Sequence, residues 1–325
     1  MKLPIAPIVA CLTIGIAAAP LAQAQWLASV GAQKQDKGTQ ALAFLPNEIW
    51  IHAGDSITWK LNADEPHTVT FLITDQVRPP FPVGCPGVTP SPAGFDGTQC
   101  VNSGPLGNGQ SYTVVFPTSG NYKLVCLFHE SMNATVHVLD PSLPLPHDQA
   151  YYNRVAAAKT RDLFLQGQID SVLGRIDAQG MTGHPVVAGV GSIAATAGGS
   201  QTVSIVRFMQ PQVTVHAGDT VEWNNADPVT PHTITFGAEP MGDPGPPSAN
   251  VTVDADGVRH ATINSQTDSV HSGFIVASGQ ERIGVPQADL GATRFRATFT
   301  QPGLYPYICA LHDGLGMKGT VVVVP

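Results

Sequence analysis

Hydrophobic and polar residues alternate along most of the chain in short runs, and a period of two is the signature of half-buried strands. Tyr112-Thr113-Val114-Val115-Phe116 is one such run, while Ala134-Thr135-Val136-His137-Val138 and Gly319-Thr320-Val321-Val322-Val323-Val324 read as closing strands. Gly, Pro, Asn and Asp punctuate these runs, and strands at such regular spacing predict an all-β architecture of sandwiches or barrels. One stretch departs from the pattern. From Tyr151 to Arg175 apolar residues fall at Val155, Ala158, Leu165, Ile169 and Val172, a spacing that predicts one helix with an apolar face, acting as a packing element or spacer.

The strand pattern occurs twice. Ile49-Trp50-Ile51-His52-Ala53-Gly54-Asp55-Ser56-Ile57-Thr58-Trp59 is answered by Val213-Thr214-Val215-His216-Ala217-Gly218-Asp219-Thr220-Val221-Glu222-Trp223. Glu65-Pro66-His67-Thr68-Val69-Thr70-Phe71 is answered by Thr230-Pro231-His232-Thr233-Ile234-Thr235-Phe236, and Gly120 to His129 by Gly303 to His312. Signposts repeated in one order mark an internal duplication. They predict a first domain over 26–140, a linker with the helix over 141–185, and a second domain over 186–325. Insertions, Gln76 to Gly109 and Gly237 to His271, interrupt the two copies at corresponding places and could shape the approach to a site or dock a partner.

Composition narrows the class. The 325 residues include 33 Gly and 28 Pro, too many for an all-helical bundle, and the formal net charge of −8 leaves no basic footprint for nucleic acid. Residues 1–24 read as a signal peptide: Lys2, an apolar run to Leu21 broken by Pro4, Pro7, Gly15 and Pro20, and an Ala22-Gln23-Ala24 cleavage site. The expectation is a periplasmic or secreted protein that is not integral to the membrane once cleaved. Cleavage removes Cys11 and leaves Cys85, Cys100, Cys126 and Cys309. In an oxidising compartment Cys85 and Cys100 read as a disulfide closing the first insertion, worth about 3 kcal/mol on the loop-entropy account. A metal site fits them less well, because no His lies between them.

The chemistry lies in a set of four residues present in both copies. One His comes early, and Cys, His and Met cluster late: His67 with Cys126, His129 and Met132, then His232 with Cys309, His312 and Met317. Two imidazoles, a thiolate and a thioether form the trigonal His2Cys site with weak axial Met expected of blue copper, which passes single electrons with little rearrangement. His52 and His216 also repeat, but neither has a sulfur partner close in sequence, and they read as surface or satisfied residues. His147, His184, His260 and His271 show no ligand spacing.

On these residues the chain resembles the cupredoxin family. The second copy is similar to plastocyanin in its run from Tyr307 to Val321, and the first, with two residues between His129 and Met132, is similar to amicyanin. The resemblance implies two Greek-key β-sandwich or barrel domains joined by the helical linker, and a type 1 copper in each, held by the quartets above. It implies an electron carrier served by a redox partner protein or a small electron donor or acceptor, with His129 and His312 as exposed electron-exchange edges. Thr68 and Thr233 stand where plastocyanins usually have Asn, and Asn133 where Gly is common.

Two other classes compete with the carrier. A two-domain copper oxidase or nitrite-reductase-like enzyme would need further copper, held by His-x-His pairs or a His beside the ligand Cys. The chain has no His-x-His, and Leu127 and Ala310 occupy the adjoining positions. Copper storage or delivery would favour Met-rich or His-rich tracts, and the chain's 6 Met form none.

Overall fold

The computed structural model describes residues 23–78, 85, 87–180, 183–277 and 293–325. The expected signal peptide falls outside them except for Gln23 and Ala24. The first half runs through β1 (Gln25–Gln33), β2 (Thr39–Leu45), β3 (Glu48–His52), β4 (Ser56–Leu61), β5 (Thr70–Phe71), β6 (Ala93–Gly94), β7 (Val101–Asn102), β8 (Ser111–Val115), β9 (Gly120–Val125) and β10 (Asn133–Leu139). After α1 (Gln149–Gly180) the second half follows with β11 (Pro185–Thr196), β12 (Gly199–Phe208), β13 (Gln212–His216), β14 (Thr220–Ala226), β15 (Thr235–Phe236), β16 (Thr252–Val253) and β17 (Arg259–Ile263). It ends with β18 (Val270–His271), β19 (Arg294–Phe299), β20 (Gly303–Ile308) and β21 (Lys318–Val324). The all-β expectation with one helix holds.

Each half has its own face sheet, in the order β3-β10-β9-β5-β7 and β13-β21-β20-β15-β18. The opposing sheets are not separate. They join into one 11-stranded sheet, because β12 pairs antiparallel with β2, with Val203 opposite Ala41 and Ser204 opposite Gln40. A core built on Trp59, Phe71, Phe95 and Phe116 fills the first half, and one built on Trp223, Phe236, Phe295 and Tyr307 fills the second. The Ala-Gly-Asp turns do the same work in both copies. Asp55 accepts from the His52 amide and Asp219 from the His216 amide, each closing the turn.

The helix forms where its spacing predicts, capped at its start by Asp148, whose carboxylate accepts from the Tyr151 amide. Its orientation is the reverse of the expected one. Leu165, Ile169 and Val172 are 56%, 46% and 55% exposed, whereas Leu163, Gly167, Asp170 and Gly174 face the sheet. The reason is close approach: a Cβ at Gly167 would lie 2.8 Å from Val203 Cγ2, and one at Gly174 would lie 2.6 Å from Val190 Cγ1. Small residues let the helix settle on β2, β11 and β12, burying a third cluster that includes Ala41, Leu45, Leu163, Val203 and Ile205. With the first core on one face and this cluster on the other, every residue of β2 is buried.

The insertions are largely woven into the sheets. In the first, Cys85 and Cys100 form the expected disulfide, with Cα atoms 5.6 Å apart, and β7 pairs with β5. In the second, β17 lies parallel to β19 and β18 pairs with β15.

Candidate metal centres

Neighbouring strands and the loops after them bring the repeated residues together. Cys126 follows β9 and Cys309 follows β20, so each thiol sits at the end of a central strand of its face sheet. The upstream histidines are fixed from the other side by backbone pairing: the His67 carbonyl accepts from the Leu106 amide, and His232 exchanges both backbone bonds with Ile275. In the first half, His67 Nδ1 lies 3.0 Å from His129 Nδ1, and Cys126 Sγ lies 3.8 and 3.7 Å from these two nitrogens. In the second, His232 Nδ1 lies 3.2 Å from His312 Nδ1, and Cys309 Sγ lies 3.9 and 3.3 Å from them.

Met132 and Met317 are fully buried, and their carbonyls accept from the amides of Cys126 and Cys309 at 3.0 and 3.1 Å. The longer His-to-Met spacing of the second copy is taken up by a 3₁₀ turn, Asp313–Leu315, ended by Gly316 at φ 96°. The left-handed backbone there favours glycine. Both loops therefore return their Met to the same place beside the Cys.

The donor set has the chemistry of a metal centre. Bonds of about 2.0 Å to nitrogen and about 2.3 Å to sulfur from a common ion place donors roughly 3–4 Å apart, the range seen here. Each pair of Nδ1 atoms faces its own sulfur in a buried pocket, and His67 Nε2 and His232 Nε2 have no hydrogen-bond partner. Burial pushes both thiols up, but the neighbouring imidazoles outweigh it, His129 and His67 for Cys126 and His312 and His232 for Cys309, and hold both well below the usual range. The thiolate is the form that a soft ion binds.

Backbone amides support the sulfurs, and threonine hydroxyls the loops that carry them, in both halves. The amides of Thr68 and Thr233 lie 3.4 Å from Cys126 Sγ and Cys309 Sγ. Their hydroxyls accept from the amides of Leu127 and Ala310, at 2.8 and 2.7 Å, tying the early histidine segment to the late loop. The Thr residues that depart from the plastocyanin pattern thus clamp the cysteine loop.

Gly31 and Gly189 also recur, each at a bulge in the first strand of its copy, with φ of 63° and 77°. A Cβ at Gly31 would lie 2.6 Å from His67 Nε2, and one at Gly189 would collide with the His232 ring. The glycine recurring in each first strand was the sequence signal for this cradle.

Other contacts differ between the halves. Beside His232, the fully buried Asp227 accepts from Ser204 and from the amides of Val229 and Thr230, and lies 3.9 Å from Nε2. Burial lowers the pKa of His232, yet Asp227 and Cys309 outweigh it and raise it, whereas burial dominates at His67 and lowers it. The first thiolate loop has its own cation: Arg78 donates to the carbonyls of Cys126 and Leu127, at 3.0 and 2.6 Å.

The expectation that His129 and His312 form exposed edges is overturned. They are 4% and 2% exposed, because the two centres face each other and not the solvent. Between them lies Glu65, with Oε1 3.2 Å from His129 Nε2 and Oε2 3.6 Å from His312 Nε2. Burial would raise the Glu65 carboxyl, but the charge of His312 and the hydrogen bond from His129 hold it far below the usual range. His129 is correspondingly pushed up to about 9 and His312 to about 10, the attraction of thiolate and Glu65 outweighing burial. Glu65 escapes a comparison of the two copies because its counterpart is Thr230.

The remaining histidines have local partners. His52 contacts the Leu143 carbonyl, His216 lies near Asp219 at the surface, and His147 stacks on Tyr151. His184 lies near Asp219, His260 contacts Asp254, and His271 contacts Thr235 and Pro244.

The chain is similar to known proteins. The family described as copper-binding proteins of the plastocyanin/azurin type matches residues 31–139 and 194–324. Plastocyanin of Ginkgo biloba is 32% identical over 91 residues, which is 28% of this chain and 80% of that protein. Plastocyanin of a Synechococcus strain is 29% identical over 125 residues, 38% of this chain and 68% of that protein. Among solved structures, the oxidised plastocyanin of Dryopteris crassirhizoma is 20% identical, with a TM-score of 0.23, covering 43% of this chain and 99% of that one.

Proposed function

Because the chain belongs to the plastocyanin/azurin family of copper-binding proteins, we propose that it is an exported electron-transfer protein carrying a type 1 copper in each of two domains. The observation that carries this reading is the doubled, buried set of two imidazole nitrogens and one thiolate. His67, Cys126, His129 and Met132 would hold the first copper, and His232, Cys309, His312 and Met317 the second. The domains would span 26–140 and 186–325, with 141–185 between them and 1–24 removed on export to the periplasm or beyond.

Copper so bound supplies a one-electron couple. The residues do the rest. The bulged strands and backbone pairings would hold the upstream imidazoles in one position whichever oxidation state the copper takes. The threonine amides and hydroxyls fix the sulfur and the loop that carries it. Met132 and Met317, both fully buried, would each offer a thioether to its copper and keep water away from it. No helix among the described residues is long and apolar enough to cross a membrane, and the electron would be exchanged with a redox partner protein or a small donor or acceptor.

Copper added to the mature protein should reach about two ions per chain and give an intense thiolate-to-copper visible band. Cys126→Ser and Cys309→Ser should each remove one centre's share of that band, and a band unchanged in either variant contradicts the ligand assignment. Steady consumption of oxygen or nitrite by the loaded protein would overturn the carrier reading in favour of an enzyme.

A further inference from the structure

Glu65 belongs to the first copy of the repeat, but its carboxylate serves both. Oε1 lies 3.2 Å from His129 Nε2 and Oε2 lies 3.6 Å from His312 Nε2. On their other side the same rings turn Nδ1 toward Cys126 Sγ at 3.7 Å and Cys309 Sγ at 3.3 Å. Cys126, His129, Glu65, His312 and Cys309 are thus a continuous line of polar groups, and none is more than 8% exposed.

We propose that Glu65 is an internal electron bridge: with one oxygen accepting from His129 Nε2–H and the other paired with His312 Nε2 at 3.6 Å, it joins the two metal centres, so that an electron received at one is shared with the other. The inference rests on the copper loading proposed above. A ring whose Nδ1 binds a metal keeps its single proton on Nε2 and must donate there, as metal-bound histidines characteristically do to a carboxylate. An ionised carboxylate is the side chain that can accept on both oxygens at once, whereas an amide accepts on one and donates from the other. Electron tunnelling weakens less through bonds and hydrogen bonds than across open gaps, and this line bypasses solvent.

The step balances without a further reactant. One electron crosses; the copper it leaves goes from Cu(I) to Cu(II), and the copper it reaches goes from Cu(II) to Cu(I). The total charge around Glu65 is the same before and after, so no proton needs to move with it. Placing one acceptor between two donors also makes a single residue the positioning group for two sites.

The test compares the copper-loaded full chain with Glu65→Gln and Glu65→Ala. Glu65→Gln keeps the side-chain size but removes a negative charge that favours the oxidised ion, so the reduction potentials of both centres should rise together. Glu65→Ala should weaken Cu(II) binding at both centres by about 10–100-fold, the usual effect of losing a group that supports a ligand. After injection of less than one electron per chain by pulse radiolysis, wild type should show an intramolecular phase independent of protein concentration, and Glu65→Ala should lose it. A Glu65→Gln protein whose second centre keeps its wild-type potential overturns the bridge, as does an intramolecular phase unchanged in Glu65→Ala. If Glu65→Ala does not fold, the two potentials of Glu65→Gln decide alone. Failure of the underlying reading looks different: wild type itself would take up no copper, or its visible band would survive loss of both thiols.

Discussion

In the metal-free protein His129 and His312 carry protons that a metal must displace. Their pKa values are raised to about 9 and about 10, above the ordinary imidazole, so both are protonated at pH 7, while the neighbouring imidazoles hold both thiols well below their usual range. Copper uptake at pH 7 should therefore release a proton from His129 at the first centre and from His312 at the second. Below the raised values the proton competes with the metal, so affinity should climb with pH, about tenfold per unit for each competing proton. It should level off near pH 9 at the first centre and near pH 10 at the second. Proton release followed in weak buffer during titration checks this, and the absence of release at either centre would contradict it. The quartets themselves were legible because Cys126-x2-His129 and Cys309-x2-His312 sit on one loop and recur. Glu65 was not, since a repeat reveals what two copies share and its counterpart is Thr230.

At the scale of elements, α1 shows how a correct prediction of type can accompany a wrong prediction of face. Val155, Ala158, Leu165, Ile169 and Val172 have the spacing of an apolar stripe, but the sheet took the side that allows closer approach. Gly167→Ala makes the opposing effects measurable. Alanine improves helix propensity by about 1 kcal/mol, but its Cβ would meet Val203 at 2.8 Å, Ile205 at 3.0 Å and Thr39 at 3.2 Å. Overpacking of that kind costs about 1–3 kcal/mol, so the net expectation is a loss of about 1 kcal/mol. Leu165→Gln, on the exposed stripe, should change stability by less than about 0.5 kcal/mol. Urea denaturation of the two variants tests the facing of the helix: a larger loss for Leu165→Gln would mean that the stripe is the packed side.

The whole molecule is more unified than its duplicated sequence suggests. Pairing of β2 with β12 carries the central sheet from one half into the other, and the cluster under α1 draws residues from both, Ala41, Ala43 and Leu45 on one side and Val187, Val203 and Ile205 on the other. Smaller contacts reinforce the junction, among them Asn47 to Thr196 and Arg207 to the Asp36 carbonyl. The halves should therefore unfold together. Ile205→Ala, which empties part of the shared cluster, should cost about 2–5 kcal/mol and lower a single cooperative transition seen alike by tryptophans of the first half (Trp26, Trp50, Trp59) and by Trp223 of the second. Two transitions, with one left in place by the substitution, would show the halves to be energetically separate. The junction also sets the sites against each other, since it is the joined sheet that turns His312 toward Glu65.

The sequence by itself determined the strands, the duplication, the disulfide partners and both sets of clustered His and Cys residues. Each of these follows from short-range rules, period, turn chemistry and loop spacing, repeated often enough to be read. The tertiary structure alone decided which face of the helix is buried, that the two sheets are one, and that the two centres meet at a single carboxylate. Those outcomes depend on residues far apart along the chain, where backbone approach and the pairing of one strand edge select the neighbours and no local pattern records the choice.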